Sequence, residues 1–109
     1  MKLPYLERIY VSIEKLNDYL LSDTHPIGKW KARFFKSLGF DKSNIEMLEK
    51  TLISIAQSNE ISESIKTTYG VKYIIDGTVH TPKKVIKLRT VWVIEKEEKI
   101  PKFVTAYPI

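Results

Sequence analysis

The feature that most constrains the fold is a change of hydrophobic period at Glu60. Before it, apolar residues recur at steps of three and four, the repeat of helices with one buried face. After it, they alternate or run together in β-branched stretches, as strands do. The connections between those stretches are short, which means antiparallel neighbours in a meander. The expected fold is therefore α+β: about three N-terminal helices packed on one face of a C-terminal antiparallel sheet of about four strands. The 109 residues suffice for one core and are expected to form a single domain, 1–109, with a helical half over 1–59 and a sheet half over 60–109.

In order, residues Met1 to Tyr10 read as an extended arm, with Pro4 discouraging an early helix and Ile9 and Val11 suggesting a short strand. Ser12 suits the N-cap of a helix to about Leu21, in which Ile13, Leu16, Tyr19 and Leu20 recur at helical spacing. His25-Pro26 opens a second helix, since proline costs little in a first turn. Ile27, Trp30, Phe34 and Leu38 give it a buried stripe, and Gly39 ends it. Ser43-x-x-Glu46 is a capping box for a third helix, whose apolar positions Ile45, Leu48, Leu52, Ile55 and Ala56 carry it to about Ser58. Strands follow over Val71 to Asp76, Val85 to Glu95 and Phe103 to Tyr107, with Ile61 to Thr67 leading into the first of them. Asp76-Gly77 reads as a turn, and His80-Thr81-Pro82 as the continuing loop.

With no cysteine, the chain has no disulfide, thiolate metal site or cysteine nucleophile. No apolar run reaches the roughly 20 residues of a membrane span, and the N-terminus lacks the apolar core of a signal peptide, so a cytoplasmic protein is expected. The net charge of +5 favours an anionic partner such as nucleic acid, although many small proteins are equally basic. P-loop, dinucleotide, HExxH and GxSxG motifs are absent.

Candidate chemistry begins at His25. At a helix start it meets the positive end of the macrodipole, which suits a general base. Lys29 and Arg33 follow one and two turns on, giving a base and two cations in a row opposite the apolar stripe. The plainer reading is a solvated basic face with a capping histidine. On the longest strand, Ile86, Leu88, Thr90, Trp92 and Ile94 share one face, and Val85, Lys87, Arg89, Val91 and Val93 the other. Both faces are partly apolar, so either could meet the helices. Trp92 is most simply core, and Lys87 and Arg89 are either solvated or a phosphate-contacting pair. Lys72 alternates with Tyr73, and Thr105 and Tyr107 share a face. A Lys, a Tyr and a Thr beside His25 would suit phosphate chemistry without a metal or cofactor. The base would deprotonate a ribose 2′-OH and the cations would stabilise the charge that develops on phosphorus. No tight Asp/Glu cluster suggests two-metal hydrolysis. His80 reads as incidental.

The stretches MKLPYLER, KLNDYLLSDTHPIGKWKARFFKSLGF, YGVKYIIDG, LRTVWVIE and PKFVTAYP, in this order, resemble a small bacterial domain family of unknown function, over essentially the whole chain. The layout resembles that of the barnase, EndoU, colicin and RelE superfamily of metal-independent ribonucleases, and VTAYP is similar to the last strand of several toxin domains of that group. The resemblance implies a toxin-like endoribonuclease, held in check by a small acidic immunity or antitoxin protein. Carried over by position, the family's shared polar residues fall on His25, Lys29, Arg33, Lys72, Tyr73, Thr90, Trp92, Thr105 and Tyr107. Trp30 is a departure, standing where family members carry a second histidine.

The expected activity is thus RNA cleavage by 2′-OH attack. His25, Lys72, Thr105 and Tyr107 are the catalytic candidates, and Lys29, Arg33, Lys87 and Arg89 the nucleic-acid-binding ones. The alternative is a non-catalytic RNA- or protein-binding module, one member of a toxin–antitoxin-like pair.

Overall fold

The computed structural model describes residues 1–26, 28–82 and 84–109. Three helices precede a four-stranded antiparallel sheet of order β1-β2-β3-β4, an α+β meander. Helix α1 (Ile13–Lys15) runs into a π-helical turn (Leu16–Leu20). Then follow α2 (Lys29–Ser37), α3 (Ile45–Ser58), β1 (Glu63–Lys66), β2 (Gly70–His80), β3 (Val85–Glu95) and β4 (Lys102–Pro108). Among the described residues, no helix is long and apolar enough to cross a membrane.

The helix starts differ in detail from expectation. Ser12 caps α1 as expected, accepting from Lys15 N–H at 3.2 Å. The N-terminal arm holds a 3₁₀ turn, Leu6–Arg8, after Pro4. Its expected strand is one parallel bridge, Tyr10 to Lys102, on the free edge of β4. The capping box is formed by Asp41 and Asn44 around a 3₁₀ turn, Lys42–Asn44, and not by Ser43 and Glu46. Asp41 accepts from Ser43 N–H at 2.8 Å, and Asn44 accepts from Asp41 N–H at 2.8 Å.

Asp76-Gly77 is not a turn. β2 runs through both residues to His80, and the hairpin closes where Thr81 N–H and hydroxyl reach the Lys84 carbonyl at 2.9 and 3.0 Å. Gly77 is there because α3 crosses close above it: a Cβ would lie 2.8 Å from both Ile55 Cγ2 and Asn59 Nδ2.

The helices cover the sheet face carrying Ile75, Val79, Leu88, Thr90, Trp92, Phe103 and Ala106, and Leu16, Leu20, Phe35, Leu48, Leu52 and Ile55 complete that core. Trp92 is fully buried, its ring edge-on to Phe103 at 5.5 Å. Its Nε1–H donates to Thr90 Oγ1 at 2.8 Å, and that hydroxyl donates to the Ile75 carbonyl at 2.7 Å, so both side-chain polar groups are satisfied within the sheet. Thr90 and Trp92 therefore serve packing.

The opposite face carries Lys72, Asp76, Arg89, Val91, Val93, Thr105 and Tyr107, by strand alternation and register. A bulge at Val91/Trp92 skips Val104, pairing Trp92 with Phe103 and Val91 with Thr105. That extra residue lets Phe103 face the core while Thr105 and Tyr107 face away.

Candidate functional site

The helical stripe expected from Trp30, Phe34 and Leu38 is out of phase; Ile27 lies outside the described residues. Trp30 is 50% exposed and Phe34 only half-buried, whereas Lys31, Ala32 and Phe35 are buried along with Leu38. The Phe34-Phe35 tandem permits either phase. What selects one is Gly28, whose absent side chain lets this segment rest on the π-turn: a Cβ there would sit 2.2 Å from the Tyr19 carbonyl oxygen. The consequence is a lysine on the inner face, 7% exposed.

Lys31 Nζ donates to Tyr19 Oη at 2.7 Å and to Thr105 Oγ1 at 2.8 Å, and the two hydroxyls are 3.2 Å apart. Three aromatic rings surround the ammonium, with centroids at 5.2 Å (Tyr19), 5.4 Å (Trp30) and 5.6 Å (Tyr107). Cation–π attraction of about 0.5–2 kcal/mol per ring offsets part of the cost of burying the charge. Among the described residues no carboxylate pairs with Lys31. A buried cation held by hydroxyls and π-faces alone keeps most of its charge uncompensated, which is the electrostatic setting of an anion site.

His25 belongs to the same cluster. Its ring meets the Tyr19 ring edge-on, with centroids 5.0 Å apart. It precedes α2 rather than opening it: its carbonyl accepts from Lys29 N–H at 3.0 Å, and its Nδ1 accepts from Gly28 N–H at 3.0 Å. With Nδ1 accepting, the neutral ring carries its proton on Nε2.

Tyr19 lies in the π-turn, where Leu21 N–H reaches back to the Leu16 carbonyl at 2.8 Å. Partial burial pushes the phenol pKa up. The hydrogen bonds from Lys31 and Thr105, with the charges of Lys31 and Lys15, outweigh it and hold the pKa below the ordinary 10.0.

On the open sheet face, Arg89 makes a two-point ion pair with Asp76, Nε and Nη2 to the two carboxylate oxygens at 2.8 and 2.9 Å. Asp76, and more weakly Tyr107, hold the guanidinium pKa well above its usual value. Arg89 thus stands between Asp76 and Tyr107, its strand partner across β3–β4.

The structure therefore brings His25, Thr105 and Tyr107 together, from opposite ends of the chain. Lys72 is on the same sheet face as Thr105 but two strands away, paired with Val93, and among the described residues no hydrogen bond ties it to the cluster. Lys29 and Arg33 are exposed on α2, two residues either side of Lys31 and so on the opposite side of the helix. Lys87 is exposed, across from Thr78. Tyr19 and Lys31 are the residues that sequence reasoning missed. The available signal was a lysine at positions i−4 and i−7 from Phe35 and Leu38, inside the alternative apolar phase. A separate groove of about 580 Å³ between α3 and the end of β2, lined by Met47, Lys50, Ser54, Asn59 and His80 among others, contains none of these groups.

The fold is shared with a chain from the contact-dependent growth inhibition toxin–immunity protein complex of Klebsiella pneumoniae 342, at a TM-score of 0.69 and 18% identity, covering 95% of this chain and 96% of that one. No curated protein matches the sequence. Residues 2–109 match the family model described as Domain of unknown function (DUF6883), and the chain belongs to that family.

Proposed function

We propose that the protein is a toxin-like endoribonuclease that works without a metal in the cytoplasm, cleaving RNA by attack of the 2′-OH on the adjacent phosphodiester. One observation carries the reading: the buried ammonium of Lys31, without a carboxylate partner among the described residues, on which the Tyr19 and Thr105 hydroxyls and the Tyr107 ring converge with His25 alongside. An ammonium, the hydroxyls of Tyr19 and Thr105 and an imidazole suit stabilisation of a pentavalent phosphorane. Lys31 takes the non-bridging oxygens, Thr105 and Tyr107 position the phosphate, and the proton acceptor comes from the His25–Tyr19 pair. Lys72, Lys29, Arg33 and Lys87 meet flanking phosphates, while Arg89 stays with Asp76 and braces Tyr107. The fold shared with a chain of a toxin–immunity complex supports the same reading.

The test is incubation of RNA with the protein in EDTA, wild type against Lys31→Ala and His25→Ala. Expected are fragments ending in 2′,3′-cyclic phosphate from the wild type, a loss of at least about 100-fold in Lys31→Ala and a smaller loss in His25→Ala. RNA left intact at high protein concentration sinks the reading. The net charge of +5 and the complex named for the structural neighbour favour a second one, a non-catalytic member of such a pair that docks RNA or a small acidic immunity or antitoxin protein. It predicts salt-sensitive binding without turnover.

A further inference from the structure

We propose that Tyr19 is the general base of this cleavage, its phenolate oxygen held by Lys31 and Thr105; the proposal rests on the ribonuclease reading. Four features of the structure point to Tyr19 rather than to His25.

The first is the backbone. A π-turn is rare and costs helix geometry, and it sits where it aims one polar side chain at the sheet edge, that of Tyr19. The second is the hydrogen bonding around Oη. Two donors, Lys31 Nζ at 2.7 Å and the Thr105 hydroxyl at 3.2 Å, can both point at it once it has lost its proton. The third is charge. With no carboxylate beside Lys31 among the described residues, a phenolate at Tyr19 is the anion that neutralises the buried ammonium. The fourth is the histidine itself, whose Nδ1 lone pair is committed to Gly28 N–H. Accepting a substrate proton at Nε2 would first require the ring to change tautomer and break that bond. The lowered phenol pKa agrees with this assignment.

In the step itself, Tyr19 Oη takes the 2′-hydroxyl proton, and the O–H electron pair becomes the new 2′-O–P bond. The P–O5′ bond breaks with its pair on the 5′-oxygen, which takes a proton from water. The hydroxide so formed removes the proton from Tyr19, restoring the phenolate. The products are a 2′,3′-cyclic phosphate and a 5′-hydroxyl, with no net gain or loss of protons.

The experiment is a pH–rate profile of RNA cleavage in EDTA for wild type, Tyr19→Phe and His25→Asn, with an ultraviolet titration of tyrosinate in wild type, Tyr19→Phe and Lys31→Met. Circular dichroism and thermal melts check that each variant is folded. Expected is a wild-type rate that climbs with pH to a plateau below about 10, with a tyrosinate signal titrating in step. A folded Tyr19→Phe should lose that signal and about 100-fold or more in rate. Lys31→Met should move the tyrosinate titration upward. Cleavage within a few-fold of wild type in Tyr19→Phe, or loss in His25→Asn while Tyr19→Phe stays active, overturns the proposal and leaves the ribonuclease reading standing. RNA left intact by the wild type overturns both.

Discussion

At the scale of single residues, Lys31 and Tyr19 set the character of the site. Burying an ammonium without a carboxylate disfavours the folded state, so an apolar side chain of similar length should fit better there. Lys31→Met is expected to raise stability to chemical denaturation by about 1 kcal/mol and, on the proposed ribonuclease reading, to abolish RNA cleavage, an opposition typical of functional residues. Tyr19 gives a pH signature. Its folded pKa lies below its unfolded 10.0, so its contribution to stability is fully present above pH 10.0 and is lost as pH falls through the folded value. The melting temperature of wild type relative to Tyr19→Phe should therefore rise between neutral pH and about pH 10. Asp41 shows the same sign at acid pH: Ser43 holds its carboxyl below 3.8, so Asp41→Ala should lower the melting temperature at neutral pH and have no effect in strong acid.

At the scale of elements, two close approaches place the helices. Adding a Cβ at Gly28 would press it into the Tyr19 backbone, which cannot yield without moving α2 off the π-turn. At Gly77 it would meet the side chains of Ile55 and Asn59, which can rotate away in part. Gly28→Ala is expected to cost about 3 kcal/mol in urea unfolding and Gly77→Ala about 1–2 kcal/mol, in the range of core overpacking. Much of this scale was legible in the sequence. The stripe Leu48, Leu52, Ile55 and Ala56 is the buried face of α3, and Val85–Glu95 is a strand with the expected bounds. The second helix was not, because Phe34 and Phe35 offer two phases and only contact with the π-turn chooses between them. Asp76-Gly77 misled for a related reason. The carboxylate is used by Arg89 and the glycine by α3, so a turn-like pair sits inside a strand.

At the scale of the molecule, the helices take one face of the sheet and leave the other, with its β4 edge, for the site. Lys72 and Lys87 lie on that open face, flanking the cluster that Lys31 anchors. If RNA runs across it, the logarithm of affinity should fall with the logarithm of salt by about 0.7 per phosphate contact. The double variant Lys72→Ala with Lys87→Ala should then flatten that slope by about 1.4 while leaving the melting temperature unchanged. Lys29→Ala with Arg33→Ala, on the outer side of α2, separates contacts made there from those on the sheet.

The sequence by itself determined the order of helices and strands, the core stripe of α3 and the two faces of β3, because hydrophobic period is a local property of each element. It also placed Thr105 and Tyr107 on one face, since alternation survives a bulge that lies before them. Only the tertiary structure decided which face is open, and that Lys31 rather than Lys29 or Arg33 meets Thr105. Those outcomes depend on a widened helical turn, a glycine resting against it and an edge strand within reach. Such contacts between distant segments leave no period in the chain.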